Sequence, residues 1–164
     1  MFRRLWLVIA VFLFHQGLDA QAQRAIILVR HAERVDPATD SGLSKAGQER
    51  AERLATQLKD SGIKAIYTTQ LKRTVQTAEY VARVIGVQPT VIPSTEQSRL
   101  IETLRTQHAS EVVLVVGHSN SIPEIMKALG ATEPITIADD QFDDLFILVP
   151  GNPTPTVLHL HLIE

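Results

Sequence analysis

The sequence predicts an α/β fold: a three-layer sandwich with a largely parallel central sheet, flanking helices and a strand pair at the C-terminus. Two short runs of apolar residues, Ala25–Val29 and Val112–Val116, are typical of strands that are buried on both faces. Segments with apolar residues at helical spacing lie between the predicted strands. Strands that alternate with helices in this way favour a layered fold with parallel strands.

The first half of the domain contains two predicted helices, each of which follows a strand. The first helix is capped by Ser44, continues to Leu58 and precedes Gly62, a residue type that favours a helix C-terminus. A short strand is expected at Ala65–Tyr67. The second helix ends near Gly86, and one of its faces carries the apolar or small residues Leu71, Val75, Ala78, Ala82 and Ile85.

The second half continues the alternation and ends with two strands. The expected elements are a strand at Thr90–Ile92, a helix at Arg99–Thr106, the strand at Val112–Val116, a helix from Pro123 to Leu129 that ends before Gly130, and strands at Leu145–Val149 and Val157–Ile163. Proline is placed first in its helix because it is favoured at that position. The last two strands flank Gly151-Asn152-Pro153, a turn-rich connection.

Residues 1–22 are predicted to be a secretory signal peptide. Arg3 and Arg4 precede the apolar run Leu5–Phe14, and Ala20-Gln21-Ala22 has the pattern of a cleavage site. The run is too short for a membrane span, which needs about 20 residues. A buried N-terminal helix and an uncleaved anchor are the alternatives. Cleavage near Ala22 predicts an exported domain of residues 23–164, periplasmic or secreted, that meets a membrane only through its signal peptide.

Composition excludes several classes of function. The chain has 164 residues, which suits one domain, with 16 Lys+Arg, 18 Asp+Glu and a formal net charge of −2. A near-neutral chain without long basic runs lacks the electrostatic signature of a nucleic-acid-binding protein. The sequence contains no cysteine. Disulfide frameworks, cysteine-ligated zinc sites and cysteine nucleophiles are therefore excluded.

Arginines and histidines follow three of the predicted strands. Arg30 and His31 follow the first strand, Arg73 lies just beyond the second, and His118 follows the Val112–Val116 run. In open α/β sheets, ligands bind at the carboxyl ends of the strands. A guanidinium group binds phosphoryl oxygens bidentately, and an imidazole among arginines stays neutral and nucleophilic near pH 7. The pattern therefore predicts a site for a phosphoryl group.

Three segments resemble the motifs of the histidine phosphatase superfamily, which includes phosphoglycerate-mutase-like enzymes. Leu28–Glu33 (LVRHAE) resembles the nucleophile motif, Tyr67–Ala78 the second-arginine segment, and Val115–Asn120 (VVGHSN) the second-histidine motif. The resemblance covers essentially all of the predicted mature chain, including the helix start Leu43-Ser44-x-x-Gly47. By these motifs the chain is identified as a short, single-domain member of branch 1.

The resemblance implies a two-step phosphomonoesterase mechanism. His31 would attack phosphorus and become a phosphohistidine, which water then hydrolyses, while Arg30, Arg73 and His118 would hold the phosphoryl oxygens. The family needs no metal or other cofactor. The expected partner is a small phosphorylated substrate or a phosphoprotein.

The general acid is the least defined part of the predicted site. The family often places a Glu or Asp after the third strand, and Glu96 in the segment Pro93–Gln97 is the candidate. Glu102 and Glu33 are alternatives, and small family members also work without a clear acid. The usual glycine after the nucleophile is Ala32 here, a mild change if the backbone stays in a permitted region.

Two other functions stay open at this point. One is a serine hydrolase, because Gly117–Ser121 (GHSNS) is close to a nucleophile elbow around Ser119, followed by Asp139, Asp140, Asp143, Asp144, His159 and His161. The other is a phosphate-ester-binding relative that lacks an effective acid.

The two histidines near the C-terminus also invite a metal-binding interpretation. His159 and His161 alternate with leucines and therefore share one face of a strand. Zinc needs three or four ligands, and no third ligand is evident from the sequence. An exposed strand face is therefore predicted for the histidines, and a solvated loop for the four aspartates before Leu145.

Overall fold

A computed structural model describes residues 25–162, and the predicted signal peptide lies outside this range. The elements are β1 (Ala25–Arg30), α1 (Lys45–Leu58), β2 (Ile63–Thr68), α2 (Lys72–Ile85), β3 (Pro89–Val91), a 3₁₀ turn (Ser94–Glu96), α3 (Gln97–Thr106), β4 (Val112–Gly117), α4 (Ser121–Ala128), β5 (Asp144–Val149) and β6 (Thr156–His161). Within residues 25–162, no helix is long and apolar enough to cross a membrane.

The strands form one mixed sheet in the order β3-β2-β4-β1-β5-β6. Strands β1 to β4 are parallel to one another, with β1 against β4, β4 against β2, and β2 against β3. Strand β5 runs antiparallel to β1, and β6 antiparallel to β5. The predicted fold class, a largely parallel sheet with a C-terminal strand pair, is confirmed.

The sheet separates two hydrophobic cores, which explains the continuous apolar runs in its central strands. In β1, Ile26 and Leu28 pack into the core beneath α3 and α4, whereas Ile27 and Val29 pack into the core beneath α1 and α2. Successive strand residues point to opposite faces, so a strand covered on both sides needs apolar residues at every position.

Helix α4 begins earlier than predicted, at Ser121 rather than at Pro123. The Ser121 hydroxyl accepts a hydrogen bond from the His118 backbone N–H (3.0 Å), and the Ile122 N–H donates to the His118 carbonyl (3.1 Å). These bonds start the helix directly after β4. Proline is tolerated two residues later because N–H groups in the first turn have no helical acceptor.

The buried face of α2 also differs from the prediction, because it contains two threonines. Thr74 and Thr77 are buried, while the predicted core residue Val75 is partly exposed. The Thr74 hydroxyl donates to the Leu71 carbonyl (2.8 Å), and the Thr77 hydroxyl donates to the Arg73 carbonyl (2.7 Å). These hydrogen bonds offset the cost of burying the two hydroxyl groups.

Helix α1 packs closely on the chain that follows β1. Ser44 caps the helix as predicted, since its hydroxyl accepts from the Gly47 N–H (3.1 Å). A Cβ atom added to Gly47 would lie only 2.2 Å from the Glu33 carbonyl oxygen. Glycine is therefore needed at this position because two backbone segments approach one another.

We expect Gly47→Ala to destabilise the protein by about 1–3 kcal/mol, because the new methyl group overpacks the contact with Glu33. Helix propensity alone predicts the opposite sign, since alanine is favoured over glycine by about 1 kcal/mol. Denaturant unfolding of both proteins measures the difference. Ala46→Gly, at an exposed position of the same helix, is the control and should lose no more than about 1 kcal/mol. A more stable Gly47→Ala protein would contradict the close packing.

Candidate active site

The register between β1 and β4 brings His31 and His118 together. The two parallel strands pair Val29 with Val116 and Arg30 with Gly117, and the His31 N–H extends this ladder by donating to the Gly117 carbonyl (3.0 Å). His31 directly follows Arg30, and His118 directly follows Gly117. Their ring centroids lie 5.3 Å apart in an edge-to-face arrangement.

His31 is buried, with 5% of its surface exposed, and this burial favours the neutral form of its imidazole. Its Nδ1 lies 2.8 Å from the Ala32 carbonyl oxygen, which can only accept, so Nδ1 carries the proton and Nε2 the lone pair. Burial lowers the pKa of His31 to about 3, with smaller contributions from His118, Arg73 and Arg30. Burial is thus a larger cause of the low pKa than the arginines are.

Two threonines hold the second histidine. His118 Nε2 lies 3.1 Å from the Thr69 hydroxyl, which is 2.9 Å from the Thr74 hydroxyl in the first turn of α2. Burial, with smaller contributions from Arg73 and Arg30, lowers the pKa of His118 to about 4. Sequence motifs did not single out either threonine, although a polar residue on the buried face of α2 is the signal that points to Thr74.

Arg30, the last residue of β1, is held in place by the connection between α4 and β5. Its Nη1 donates to the carbonyls of Ala138 (2.7 Å) and Gln141 (2.9 Å). Its guanidinium carbon lies 4.1 Å from the centre of the Phe142 ring, a cation–π contact. Burial lowers the pKa of Arg30, and its Nε is buried without a partner among the described residues.

Arg73 reaches the same site from the first turn of α2. Its Nη1 donates to the Thr39 carbonyl (2.6 Å), and its buried Nε has no partner within residues 25–162. The neighbouring Asp40 accepts from the Lys72 N–H (2.9 Å), so the loop after β1 is fastened to the start of α2. Burial lowers the pKa of Arg73, and the nearby Arg34 lowers it further.

These side chains line one open cleft of about 320 Å³ at the carboxyl ends of the parallel strands. Its lining residues are Arg30, His31, Arg34, Leu71, Arg73, Ser94, His118, Ser119, Asn120 and Asp139. Three guanidinium groups and two neutral imidazoles thus face one space. The predicted grouping of Arg30, His31, Arg73 and His118 is present, and Arg34 adds an arginine that the sequence did not single out.

The carboxylates predicted as general acids do not line this cleft. Glu96 is paired with Arg99 at 2.8 Å, one turn into α3. Glu33 is held by Arg50 at 2.7 Å. Burial raises the pKa of Glu33, but the hydrogen bonds that it accepts and the charges of Arg50 and Arg53 together outweigh burial and leave the pKa below its ordinary value. Glu102 lies exposed on α3. Asp139 is the carboxylate among the cleft residues.

A model of the histidine phosphatase superfamily, branch 1, matches residues 26–96, which include Arg30, His31 and Arg73. This match and the lining of the cleft support a phosphatase of the histidine type. His118, beyond the matched range, is brought to the same cleft by β4. No curated protein sequence matches the chain.

Solved structures of similar fold cover nearly the whole described domain of this histidine phosphatase. A phosphoserine phosphatase from Entamoeba histolytica, in complex with 3-phosphoglyceric acid, has 16% identity and a TM-score of 0.65, covering 86% of this chain and 98% of that chain. A protein from Escherichia coli assigned as an α-ribazole-5′-phosphate phosphatase has 16% identity and a TM-score of 0.71, covering 85% and 96%. A protein from Agrobacterium tumefaciens assigned as the phosphohistidine phosphatase SixA has 20% identity and a TM-score of 0.64, covering 84% and 96%. These similarities show the shared fold.

The fold of the histidine phosphatase does not assemble a serine hydrolase triad. Ser119 follows β4, whereas His159 and His161 lie on β6, three strand spacings or about 14 Å across the sheet. The two histidines instead contact Asp144 and Asp143. Ser119 is therefore a lining residue of the histidine-containing cleft.

We expect the histidine phosphatase to lose stability as the pH falls from about 6.5 toward 4. The folded pKa of His31 is about 3, against 6.5 as the ordinary value, so the unfolded chain binds more protons in this range. His31 alone contributes a slope of up to about 1.4 kcal/mol per pH unit. Urea unfolding at several pH values measures it. His31→Asn and His118→Gln should each flatten the slope, and unchanged slopes in both variants would contradict the low pKa values.

Proposed function

We propose that this phosphatase hydrolyses phosphomonoesters through a phosphohistidine formed on His31. The observation that carries the proposal is that the neutral His31 ring lines one cleft with Arg30 and Arg73, whose buried Nε groups lack acceptors in the described part of the chain. A phosphoryl group offers the acceptor oxygens that these N–H groups need, and its charge balances the guanidinium groups.

In the first step, the Nε2 lone pair of His31 attacks phosphorus, and the bond between phosphorus and the ester oxygen breaks. The leaving oxygen takes a proton and departs as an alcohol. Arg30, Arg73 and His118 bind the three remaining phosphoryl oxygens and stabilise their charge in the transition state. In the second step, water attacks phosphorus, His31 is released, and inorganic phosphate leaves the cleft.

The first of these steps predicts a covalent intermediate. His31→Ala should lower phosphatase activity at least about 10³-fold on every ester of a phosphomonoester panel, because the attacking nitrogen is removed. Rapid acid-free denaturation with a ³²P-labelled ester should trap an acid-labile phosphoenzyme in the unmodified protein and none in the variant.

His108→Gln is the matched control, since His108 is a partly buried histidine bonded to Tyr67 and Glu111 rather than to the cleft. It should keep both activity and phosphoenzyme. Binding of phosphate or vanadate without turnover of any ester would instead favour the phosphate-ester-binding alternative.

Asp139 is the proposed source of the leaving-group proton. It lines the cleft and interacts electrostatically with Arg30, on the segment that supplies the Arg30 acceptors. Glu96 is the second candidate because Ser94, two residues before it, reaches the cleft. The Glu96 carboxylate is engaged by Arg99, which favours the aspartate.

An acid matters most when the leaving group is a poor one. Asp139→Asn should therefore slow hydrolysis of an alkyl phosphate by about 10²- to 10⁴-fold and change hydrolysis of p-nitrophenyl phosphate far less. Glu96→Gln is the matched control and should leave the ratio of the two rates unchanged. The opposite result for the two variants would assign the proton to Glu96.

The substrate class is supported by the relatives and by the shape of the cleft. A phosphoserine phosphatase and a protein assigned as a phosphohistidine phosphatase share the fold. An open cleft lined by three arginines suits an anionic ester and leaves its organic part near solvent. We therefore propose small phosphorylated molecules or phosphoproteins as substrates. Export, with cleavage near Ala22, stays a prediction from the sequence because residues 1–22 lie outside the described range.

A further inference from the structure

A second cluster of titratable side chains lies outside the cleft, on β5 and on the edge strand β6. The antiparallel register places Asp144 opposite His161, and His159 shares the strand face of His161. His159 Nε2 lies 2.6 Å from Asp144 Oδ1, and His161 Nδ1 lies 3.6 Å from the same oxygen. One ligand atom from each of the three residues fits within 4.8 Å of the others.

The Asp144 carboxylate is buried, although the two histidines of the cluster are exposed. The Asp144 side chain is 1% exposed, and its Oδ2 is buried without a hydrogen-bond partner among residues 25–162. A buried carboxylate oxygen without a partner is costly unless a cation or donor reaches it. The two imidazoles remain open to solvent, with 45% and 56% of the His159 and His161 side chains exposed. The cluster therefore has a buried anionic end and an accessible side.

We propose that Asp144, His159 and His161 bind one divalent transition-metal ion of the zinc class. Imidazole nitrogens together with a carboxylate oxygen form a common zinc ligand set. Ligand bonds of about 2.0–2.2 Å put tetrahedral ligand atoms about 3.3–3.6 Å apart, inside the range of separations found in the cluster. Small side-chain rotations are therefore enough to bring the three atoms into the coordination sphere.

Neighbouring residues surround the three ligands. Asp143 Oδ2 lies 3.1 Å from His161 Nδ1, and water is the expected fourth ligand of the ion. Gln141 Nε2 donates to Asp144 Oδ1 (2.8 Å) and so orients the carboxylate, as outer-shell partners of metal ligands do. The sequence identifies the two histidines, and cross-strand pairing adds the third ligand. The site is independent of the phosphohistidine chemistry proposed for His31.

Zn²⁺ binding to the untagged full-length chain tests the proposal, measured by competition with a chromophoric chelator. We expect one equivalent of Zn²⁺ and a rise in Tm on adding it. His161→Gln, at an exposed position of β6, should weaken binding by more than about a hundredfold and abolish the Tm shift. His159→Gln should act in the same way. Co²⁺ should give the intense visible bands of a tetrahedral site in the unmodified protein only.

Controls separate this cluster from the other histidines. His118→Gln removes a cleft imidazole and His108→Gln removes the imidazole beside Glu111, and both variants should keep the bound equivalent. Failure of the unmodified chain to bind Zn²⁺ would overturn the proposal. So would binding that survives His161→Gln, or binding that is lost in His118→Gln, which would place the ion in the cleft.

Discussion

The parallel pairing of β1 with β4 is the constraint on which the rest of the site depends. Arg30 and Gly117 are paired at the end of the ladder. The segments that follow β1 and β4 therefore leave the sheet side by side, and His31 and His118 are their first residues. A slip of one residue would move every side chain of β1 to the opposite core. Because Ile26 and Leu28 fill one core while Ile27 and Val29 fill the other, the hydrophobic effect sets the catalytic geometry.

Burial then gives these polar residues their chemical character. His31 and His118 lose most of their contact with water, and this desolvation is the largest cause of their low pKa values. The same effect lowers the pKa of Arg30 and of Arg73, but guanidinium groups start so high that they stay charged. The cleft thus holds neutral imidazoles next to permanent cations. That combination keeps a nucleophilic lone pair available at the place where an anion is attracted.

The sequence predicts the sheet and the phosphate-binding residues because both depend on local patterns. Apolar runs define β1 and β4, and the motifs around His31, Arg73 and His118 follow strand ends. The general acid is not predictable in this way, because the path of the irregular segment before β5 decides which carboxylate reaches the cleft. Thr74 and Thr77 were missed for a different reason. Their burial depends on hydrogen bonds to nearby carbonyls, which hydrophobic periodicity does not describe.

The segment between α4 and β5 shows how an irregular stretch can organise two regions at once. The Gln141 carbonyl accepts from Arg30, and the side-chain amide of the same residue donates to Asp144. Phe142, the next residue, covers the Arg30 guanidinium. The orientation of Arg30 is thereby tied to the buried carboxylate at the start of β5. Because the α4–β5 connection contacts both Arg30 and Asp144, the packing at the start of β5 helps to position a guanidinium group of the cleft.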